Sequence, residues 1–258
     1  MQPEFSVVIP TYQQPALLLK CLDALGRQRL PRDQFEVIVV DEGNSPETKI
    51  AVQLFARQIA REGTPLEVRY LGQPERRGLA AARNRGWQTA RGQVVAFTND
   101  DCLPDTEWLS SASMSFKRGA QVVIGQQRVL LPNPSLPLNR TAILSKQANS
   151  LTINYFCQKS TLEQVGGFDE AVNTVWRSES DLQAKFIQEG ISIEKCPEAI
   201  VVCPTQRNSL LHNERTDRFD ALLHKQYSTL FRKRLPLYRR QFMQYCMAVL
   251  SVLVGSPR

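Results

Sequence analysis

Short apolar runs alternate with helix-like segments over the first hundred residues of the chain. The runs lie at positions 5–9, 35–40, 66–71 and 93–97, and they lack polar alternation. Such runs, when they are rich in β-branched residues, are typical of strands buried on both faces of a sheet. Between them, apolar residues recur at helical spacing, as at Leu18, Cys21, Leu22 and Leu25. Strands that alternate with helices in this way predict an α/β domain, with a mostly parallel central sheet flanked by helices.

Helix start and stop signals refine this pattern. Ser45, which is followed by proline and glutamate, is predicted to cap a helix. Another helix is predicted over 78–90 and ends before Gly92. A further helix is predicted to start at the cap residue Asp105 and to run through Lys117.

The pattern continues with strands over 121–130 and near 153–157, a helix near Ser160 and a helix over 179–188. Beyond position 205 it becomes wholly helical, with two apolar stripes. We therefore predict an α/β domain of residues 1–205 and a helical C-terminal extension of residues 206–258.

The composition narrows the possible partners. The 258 residues are 42% hydrophobic, which suffices for one sizeable core with a small appendage. The net charge of +7 favours anionic partners, such as nucleic acid, anionic lipid surfaces or phosphorylated small molecules. Nucleic acid is the least favoured of these, because the aromatic residues are not interleaved with a basic stripe. We therefore expect no nucleic acid partner.

The six cysteines do not follow a zinc or redox motif, since no two form a CxxC pair and none clusters with histidine. This arrangement predicts free thiols in a reducing compartment, and hence a cytoplasmic protein. The alternative is a disulfide framework. No stretch reaches the roughly 20 apolar residues that are needed to span a bilayer. The first residues do not have the pattern of a signal peptide either.

Polar residues directly follow three of the predicted strands, where parallel sheets bind their ligands. They are Pro10-Thr11-Tyr12, Asp41-Glu42-Gly43 and Asn99-Asp100-Asp101. In an extended segment Asn99 and Asp101 would project to the same side. A carboxylate there suits Mg²⁺ or Mn²⁺, with phosphate oxygens as further ligands. The alternative interpretation is that the aspartates cap a helix, and that Asp41 shapes a turn instead of accepting a hydrogen bond from a nucleotide base.

Two further segments carry candidate chemistry. Small residues at 78–82 would let a helix N-terminus approach a diphosphate, with Arg83 as a fixed positive charge. The alternative is a tight contact between helix and sheet, with solvated arginines. Glu179 lies at a predicted helix start, where it is either a general base or a residue that only complements the helix dipole.

In this order and at this spacing, the segments resemble the inverting glycosyltransferases of family 2, which have the GT-A fold. The matching segments are VVIPTY at 7–12, VVDEGNS at 39–45, GLAAARNRG at 78–86, FTNDDCLP at 97–104 and GGFDE at 166–170. The resemblance covers roughly residues 5–204. It implies a donor half of about residues 1–104 and an acceptor half of about residues 105–205.

The resemblance also implies roles for individual residues. The nucleotide sugar would be bound by Pro10, Thr11, Tyr12, Asp41, Gly78, Arg83, Asn99 and Asp100, with Asp41 at the base. Asp101, at the last position of the family's DxD motif, would hold a divalent metal ion, Mn²⁺ or Mg²⁺. Glu179 would be the catalytic base, and Trp176 and Asp181 would lie on the acceptor side.

Three positions depart from the family pattern. Asn99 replaces the first acid of DxD, Ser178-Glu179 stands where Glu-Asp is usual, and Cys203 stands where many members have a histidine near the metal. We expect a metal-dependent transfer, with inversion, of a sugar from a nucleoside diphosphate sugar, with UDP-sugar favoured. The acceptor would be a glycan or lipid-linked hydroxyl in envelope or exopolysaccharide synthesis. The alternative is a nucleotide-sugar-binding protein that does not catalyse.

The C-terminal extension has a basic cluster at 232–240, followed by an apolar stripe at 242–253. A basic cluster beside an amphipathic helix suits the surface of an anionic membrane. This pattern predicts a peripheral location at the inner face of the membrane. The alternative is that the stripe packs on the catalytic domain or on a second subunit.

Overall fold

The computed structural model describes residues 2–63, 65–131, 142–146, 153–171 and 175–204, which belong to one compact unit, Met1–Thr205. Side chains are described at these positions except at 129–131, 142–146, 175–180 and 204. The predicted extension of residues 206–258, with its membrane-facing stripe, lies outside the described residues. Within those ranges, no helix combines the length and the apolar character needed to cross a bilayer.

Strands and helices alternate through the first half of the unit, as the apolar pattern predicted. The strands are β1 (Phe5–Thr11), β2 (Phe35–Asp41), β3 (Glu67–Gly72), β4 (Val94–Phe97), β5 (Leu103–Pro104), β6 (Val122–Leu131), β7 (Ala142–Lys146), β8 (Tyr155–Gln158) and β9 (Ile193–Pro204). The helices are α1 (Pro15–Gly26), α2 (Pro46–Arg61), α3 (Leu79–Thr89), α4 (Trp108–Lys117), α5 (Lys159–Val165) and α6 (Val175–Gln188), and a short 3₁₀ turn spans Arg32–Gln34.

The strands form one sheet in the order β3-β2-β1-β4-β8-β6-β9-β5, and β7 pairs with β6. Pairing is parallel from β3 to β4 and between β6 and β9, whereas β8 runs antiparallel to both of its neighbours. The chain moves outwards from β1 through β2 to β3, and then returns to place β4 on the other side of β1. The reversal creates a crevice at the carboxyl ends of β1 and β4, where open α/β sheets bind their ligands.

Two hydrophobic cores cover the sheet, one on each face. Strands β1 and β2 are buried along their whole length. Successive side chains of a strand point to opposite faces, so alternate residues of β1 enter different cores. Val7 and Ile9 lie in the core that α1 and α2 cover, whereas Val8 lies in the core with α3 and α6. The predicted fold class is therefore confirmed.

Several local predictions are confirmed and others are wrong. Ser45 caps α2 by accepting a hydrogen bond from the Thr48 N–H at 3.3 Å. Asp105 does not cap α4, which begins after Glu107, because the Asp105 carboxylate closes a turn by accepting the Glu107 N–H. Helix α6 begins at Val175, four residues before its predicted start.

Strand β9 was absent from the prediction. Its sequence contains Pro197 among charged residues, which interrupts the apolar pattern. The structure accommodates this interruption with a bulge, in which Gly125 pairs with Cys196 and Gln126 pairs with Ile200. Residues 197–199 are thereby excluded from the ladder, and the rest of β9 continues to the edge of the crevice.

Candidate functional site

The crevice is formed by the end of β1 and the turn that follows β4. The Cys102 N–H donates to the Asn99 carbonyl oxygen at 3.3 Å, which closes residues 99–102 into a turn. The expectation that Asn99 and Asp101 belong to an extended segment is therefore wrong, because the chain reverses immediately after β4. The Thr11 hydroxyl donates to the Asp100 carboxylate at 2.6 Å, so that Asp100 faces β1.

Two neighbouring carboxylates give this turn a negative potential. The pKa of Asp100 is raised to about 6, chiefly by burial and also by the negative charge of Asp101, whereas the hydrogen bond from Thr11 opposes the increase. Deprotonating Asp100 is unfavourable because its charge is partly removed from water and lies next to a like charge. A bound cation would relieve both effects.

The donor set of the turn fits Mg²⁺ or Mn²⁺, since carboxylates are the hard oxygen ligands that these ions prefer. In the parts of the chain that the structure describes, no three His, Cys, Asp or Glu side chains lie close enough together to hold a metal by themselves. The remaining ligands of an ion at Asp101 would therefore come from a bound diphosphate and from water.

A disulfide joins Cys102, the last residue of the turn, to Cys203 near the end of β9. The two Cα atoms are 4.4 Å apart, and both residues are buried. The expectation that all cysteines are free thiols is therefore wrong, although Cys21, Cys157 and Cys196 are free. As a disulfide, Cys203 has no thiolate to offer a metal ion. Its position instead fixes the turn against β9.

Asp41 ends β2 and is fully buried. Its carboxylate accepts hydrogen bonds from the Gly43 N–H at 2.9 Å, the Ser45 N–H at 2.8 Å and the Tyr70 hydroxyl at 2.8 Å. A carboxylate has about four lone-pair sites, and these hydrogen bonds occupy three of them. The two bonds from backbone N–H groups shape the turn after β2. The structure gives Asp41 the turn role that the sequence left open, and its role at a nucleotide base stays a prediction.

A stacked pair that the sequence did not predict lies beside this turn. The Arg76 guanidinium lies 3.9 Å from the centroid of the Tyr12 ring, and it is 3.7 Å from the Glu42 carboxylate. Burial raises the pKa of Glu42, an effect that the charge of Arg76 partly offsets. The Arg76-Arg77 pair before Gly78 was the available signal, because arginines next to a glycine-started helix suit a phosphorylated ligand.

Helix α3 begins after Gly78, whose φ of +90° is a conformation that favours glycine. Its first turn contains small buried residues at 80–82. Further along, Gly86 lies so close to Val8 and Val40 that a side chain there would collide with the sheet. The predicted tight contact between helix and sheet is thus present, and it brings the positive end of the helix dipole to the carboxyl edge of the sheet.

Arg83 does not line the open crevice. It is 1% exposed, and its Nη2 atom lies 3.5 Å from the Asn99 side-chain oxygen. On its other side it lies 5.6 Å from the centroid of the Phe168 ring. The structure therefore places the guanidinium of Arg83 against the side chain of Asn99, in the turn after β4. Its direct contact with a nucleotide stays a prediction.

The proposed acceptor side involves helix α6 and the GGFDE loop, residues 166–170. Asp181 is buried and pairs with Lys185 at 3.0 Å. Lys185 also donates to the Gly167 carbonyl oxygen at 2.9 Å, which attaches α6 to this loop. Trp176 and Glu179 lie in the first turns of α6, and their side chains are outside the described part of the structure.

Known proteins share this sequence pattern and this fold. The sequence matches the model of glycosyl transferase family 2 over residues 6–168. The glycosyltransferase AglE of Haloferax volcanii is 32% identical over 176 residues, which cover 64% of this chain and 56% of AglE. The chain therefore spans little more than half the length of this relative.

Two solved structures have a similar architecture. The mannosyltransferase PcManGT of Pyrobaculum calidifontis, in complex with GDP-Man and Mn²⁺, has a TM-score of 0.61 at 22% identity, over 81% of this chain and 59% of that chain. Staphylococcus aureus TarS in complex with UDP-GlcNAc has a TM-score of 0.63 at 18% identity, over 80% and 60% of the two chains. At these identities the likeness shows the fold, which is the GT-A fold. With a family match over more than half of its length, the chain belongs to glycosyl transferase family 2.

Proposed function

We propose that the protein transfers a sugar, with inversion, from a nucleoside diphosphate sugar to a hydroxyl acceptor, and that this reaction requires Mn²⁺ or Mg²⁺. The observation that carries the proposal is the turn after β4. It presents Asp100 and Asp101 at the crevice, and it is held by the Thr11 hydrogen bond and the Cys102–Cys203 disulfide. A site held this firmly suits a reaction that depends on positioning.

The donor half supplies groups suited to each part of a nucleotide sugar. Tyr12, with Arg76 stacked on it, offers an aromatic and cationic surface near Asp41, where we place the base. The N-terminus of α3, after Gly78, suits the diphosphate. UDP-sugar is the favoured donor. TarS binds UDP-GlcNAc and PcManGT binds GDP-Man with Mn²⁺, so proteins of this fold support the donor class.

Asp101, with Asp100 beside it, would hold the metal ion, which when bound neutralises the negative charge of the departing diphosphate. Asn99 contributes no charge at this site, so we expect weak metal binding without nucleotide. Glu179 would take the proton from the acceptor hydroxyl as that oxygen attacks the anomeric carbon. Trp176 and Asp181 would orient the acceptor from α6.

The acceptor would be a glycan or lipid-linked hydroxyl of the cell envelope or of an exopolysaccharide. A peripheral location at the inner membrane face, through residues 232–254, would bring the enzyme to such an acceptor. Flotation of the full chain with anionic vesicles tests this location.

A donor panel tests the proposed activity. The protein is incubated with Mn²⁺ and with UDP-, GDP-, dTDP- or CDP-sugars, and the release of free nucleoside diphosphate is followed. We expect slow metal-dependent hydrolysis of a UDP-sugar, since water can replace an absent acceptor. Tight donor binding without any release would support the alternative, a nucleotide-sugar-binding protein that does not catalyse.

A further inference from the structure

We propose that Asn84 and Glu170 are positioning residues, which clamp the GGFDE loop to the donor-side helix α3 and thereby fix the distance between the donor and helix α6. The inference rests on the proposed function, because Glu179 on α6 is the proposed base. Neither residue is assigned a role in the proposed chemistry.

The Asn84 side chain is buried, and all of its hydrogen-bonding groups have partners. Its Nδ2 donates to the Phe168 carbonyl oxygen and to the Glu170 carboxylate, both at 2.9 Å. Its Oδ1 accepts from the Phe168 N–H at 3.0 Å and from Trp87 Nε1 at 2.9 Å. Three of the four bonds therefore leave α3 and hold a loop more than eighty positions along the chain.

Glu170 is held from a second point on the donor side. Arg77, which immediately precedes Gly78 and α3, donates to the Glu170 carboxylate at 2.6 Å. The preceding residue, Arg76, lies over Tyr12 in the nucleotide crevice. Adjacent arginines thus contact the proposed nucleotide pocket and the GGFDE loop.

Gly167 shows how closely the loop fits against α3. A Cβ atom at this position would lie 2.7 Å from Asn84 Oδ1 and 2.8 Å from Trp87 Nε1. The Gly167 carbonyl oxygen accepts the Lys185 ammonium of α6 at 2.9 Å. The loop therefore lies between α3 and α6 and is bonded to both.

The clamp has a catalytic consequence because transfer requires close alignment. The acceptor oxygen, the anomeric carbon and the base must meet within about 3–3.5 Å, and a misplacement of about 1 Å can reduce the rate about 100-fold. The donor binds at α3 and the proposed base lies on α6. Loosening the clamp should therefore reduce turnover while leaving the donor pocket intact.

Two neighbouring glycines provide a matched pair of variants. Gly166 and Gly167 both have a positive φ, of +75° and +68°, so alanine introduces comparable backbone strain at each. A Cβ at Gly166 meets nothing within 4 Å, whereas one at Gly167 displaces Asn84. For both variants we expect a Kd for UDP with Mn²⁺ within about twofold of the original protein. Only Gly167→Ala should lose about 10- to 100-fold in kcat for donor hydrolysis.

A polarity swap tests the hydrogen bond itself. Asn84→Asp removes the donor to Glu170 and to the Phe168 carbonyl oxygen and adds a like charge, so kcat should fall. Adding Glu170→Gln restores a bond in which the glutamine amide donates to the carboxylate introduced at position 84. The double variant should therefore be more active than Asn84→Asp alone, but less active than the original protein, because the bond to the Phe168 carbonyl oxygen stays lost. No recovery, or a loss of UDP binding that matches the loss of kcat, would overturn the positioning role.

Hydrogen exchange separates this proposal from the proposed function. In Gly167→Ala, amides of 166–171 and of α6 should exchange faster than in Gly166→Ala, while those of β1 and β2 stay protected. This measurement needs no activity. If the original protein hydrolyses no donor, the proposed function fails. Hydrogen exchange alone then tests whether the clamp holds the GGFDE loop and α6 in place. Equal exchange in the two glycine variants would overturn it.

Discussion

The hydroxyl of Thr11, the last residue of β1, donates a 2.6 Å hydrogen bond to the carboxylate of Asp100, in the turn after β4. This bond joins the two strand ends that form the crevice, and it is shorter than a typical bond between neutral groups because the acceptor is charged. Thr11 is buried, so water cannot replace it as a donor. The position of the carboxylate turn therefore depends on this hydroxyl.

Thr11→Val should weaken the binding of UDP with Mn²⁺ by about 10- to 100-fold, because a hydrogen bond to a charged group contributes about 1.5–3 kcal/mol. Valine has the same shape but no hydroxyl. Thr11→Ser, which keeps the hydroxyl, should bind within about threefold of the original protein. Calorimetric titration gives both dissociation constants. Equal affinity of the valine and serine variants would show that the Thr11 hydroxyl does not contribute to the binding of UDP.

Reduction of the Cys102–Cys203 disulfide should lower the free energy of unfolding by about 4 kcal/mol, since the bond closes a loop of about 100 residues. Urea unfolding with and without dithiothreitol measures the difference. The control is a Cys102→Ser, Cys203→Ser double variant, which should be indifferent to the reductant. If dithiothreitol leaves the free energy of unfolding of the original protein unchanged as well, the two cysteines are thiols in solution.

Acid should destabilise the protein through Glu36, at the opposite edge of the sheet. Burial alone would raise the pKa of Glu36, but hydrogen bonds from the Arg91 N–H, Ser6 and Arg69 hold it below its ordinary value. A folded-state pKa below the unfolded one stabilises the protein above the ordinary pKa of about 4.5, and this stabilisation is lost as the pH falls through the folded-state value.

Glu36→Gln should therefore lower the free energy of unfolding by about 2 kcal/mol at pH 7, because it leaves the partly exposed Arg69 and Arg91 without their buried partner. The difference from the original protein should narrow below about pH 4.5. Urea unfolding across the pH range measures it. Glu62→Gln, which removes an exposed carboxylate that pairs with the partly buried Arg32, should change stability by less than about 1 kcal/mol. A difference that is independent of pH would show that Glu36 does not titrate as described.

Glu179→Gln should retain donor binding and lose about 10²- to 10⁴-fold in turnover, because glutamine preserves the size of the side chain but cannot accept the acceptor proton. Steady-state kinetics with the donor found by the panel, together with calorimetry, separates these effects. Glu189→Gln, near the end of α6, is a matched control that should keep its activity. Near-normal turnover in Glu179→Gln would assign the base to another residue, with Asp181 as the next candidate.

The sequence predicted the strands of the first hundred residues, and it also predicted which of their ends carry polar residues, because both follow from local periodicity. Strand β9 was not predicted, because Pro197 interrupts its apolar pattern. It could not predict contacts between residues that are far apart in the chain. Cys102 and Cys203 are 101 positions apart, and Asn84 meets Glu170 across 86 positions. The predicted extended continuation of β4 through Asp101 was wrong, because the hydrogen bond from the Cys102 N–H to the Asn99 carbonyl oxygen closes a turn there. Arg83 was predicted to contact the nucleotide; the structure shows that helix packing buries it, and the contact stays a prediction.

The central claim is that the turn after β4 binds the donor diphosphate through a divalent cation at Asp101. Calorimetric titration of UDP with Mn²⁺ tests it most directly, in the original protein, in Asp101→Ala and in the exposed control Asp33→Ala. We predict that Asp101→Ala weakens UDP binding about 10- to 100-fold, as EDTA does for the original protein, whereas Asp33→Ala changes nothing. Unchanged UDP affinity in Asp101→Ala, or in EDTA, would contradict the claim.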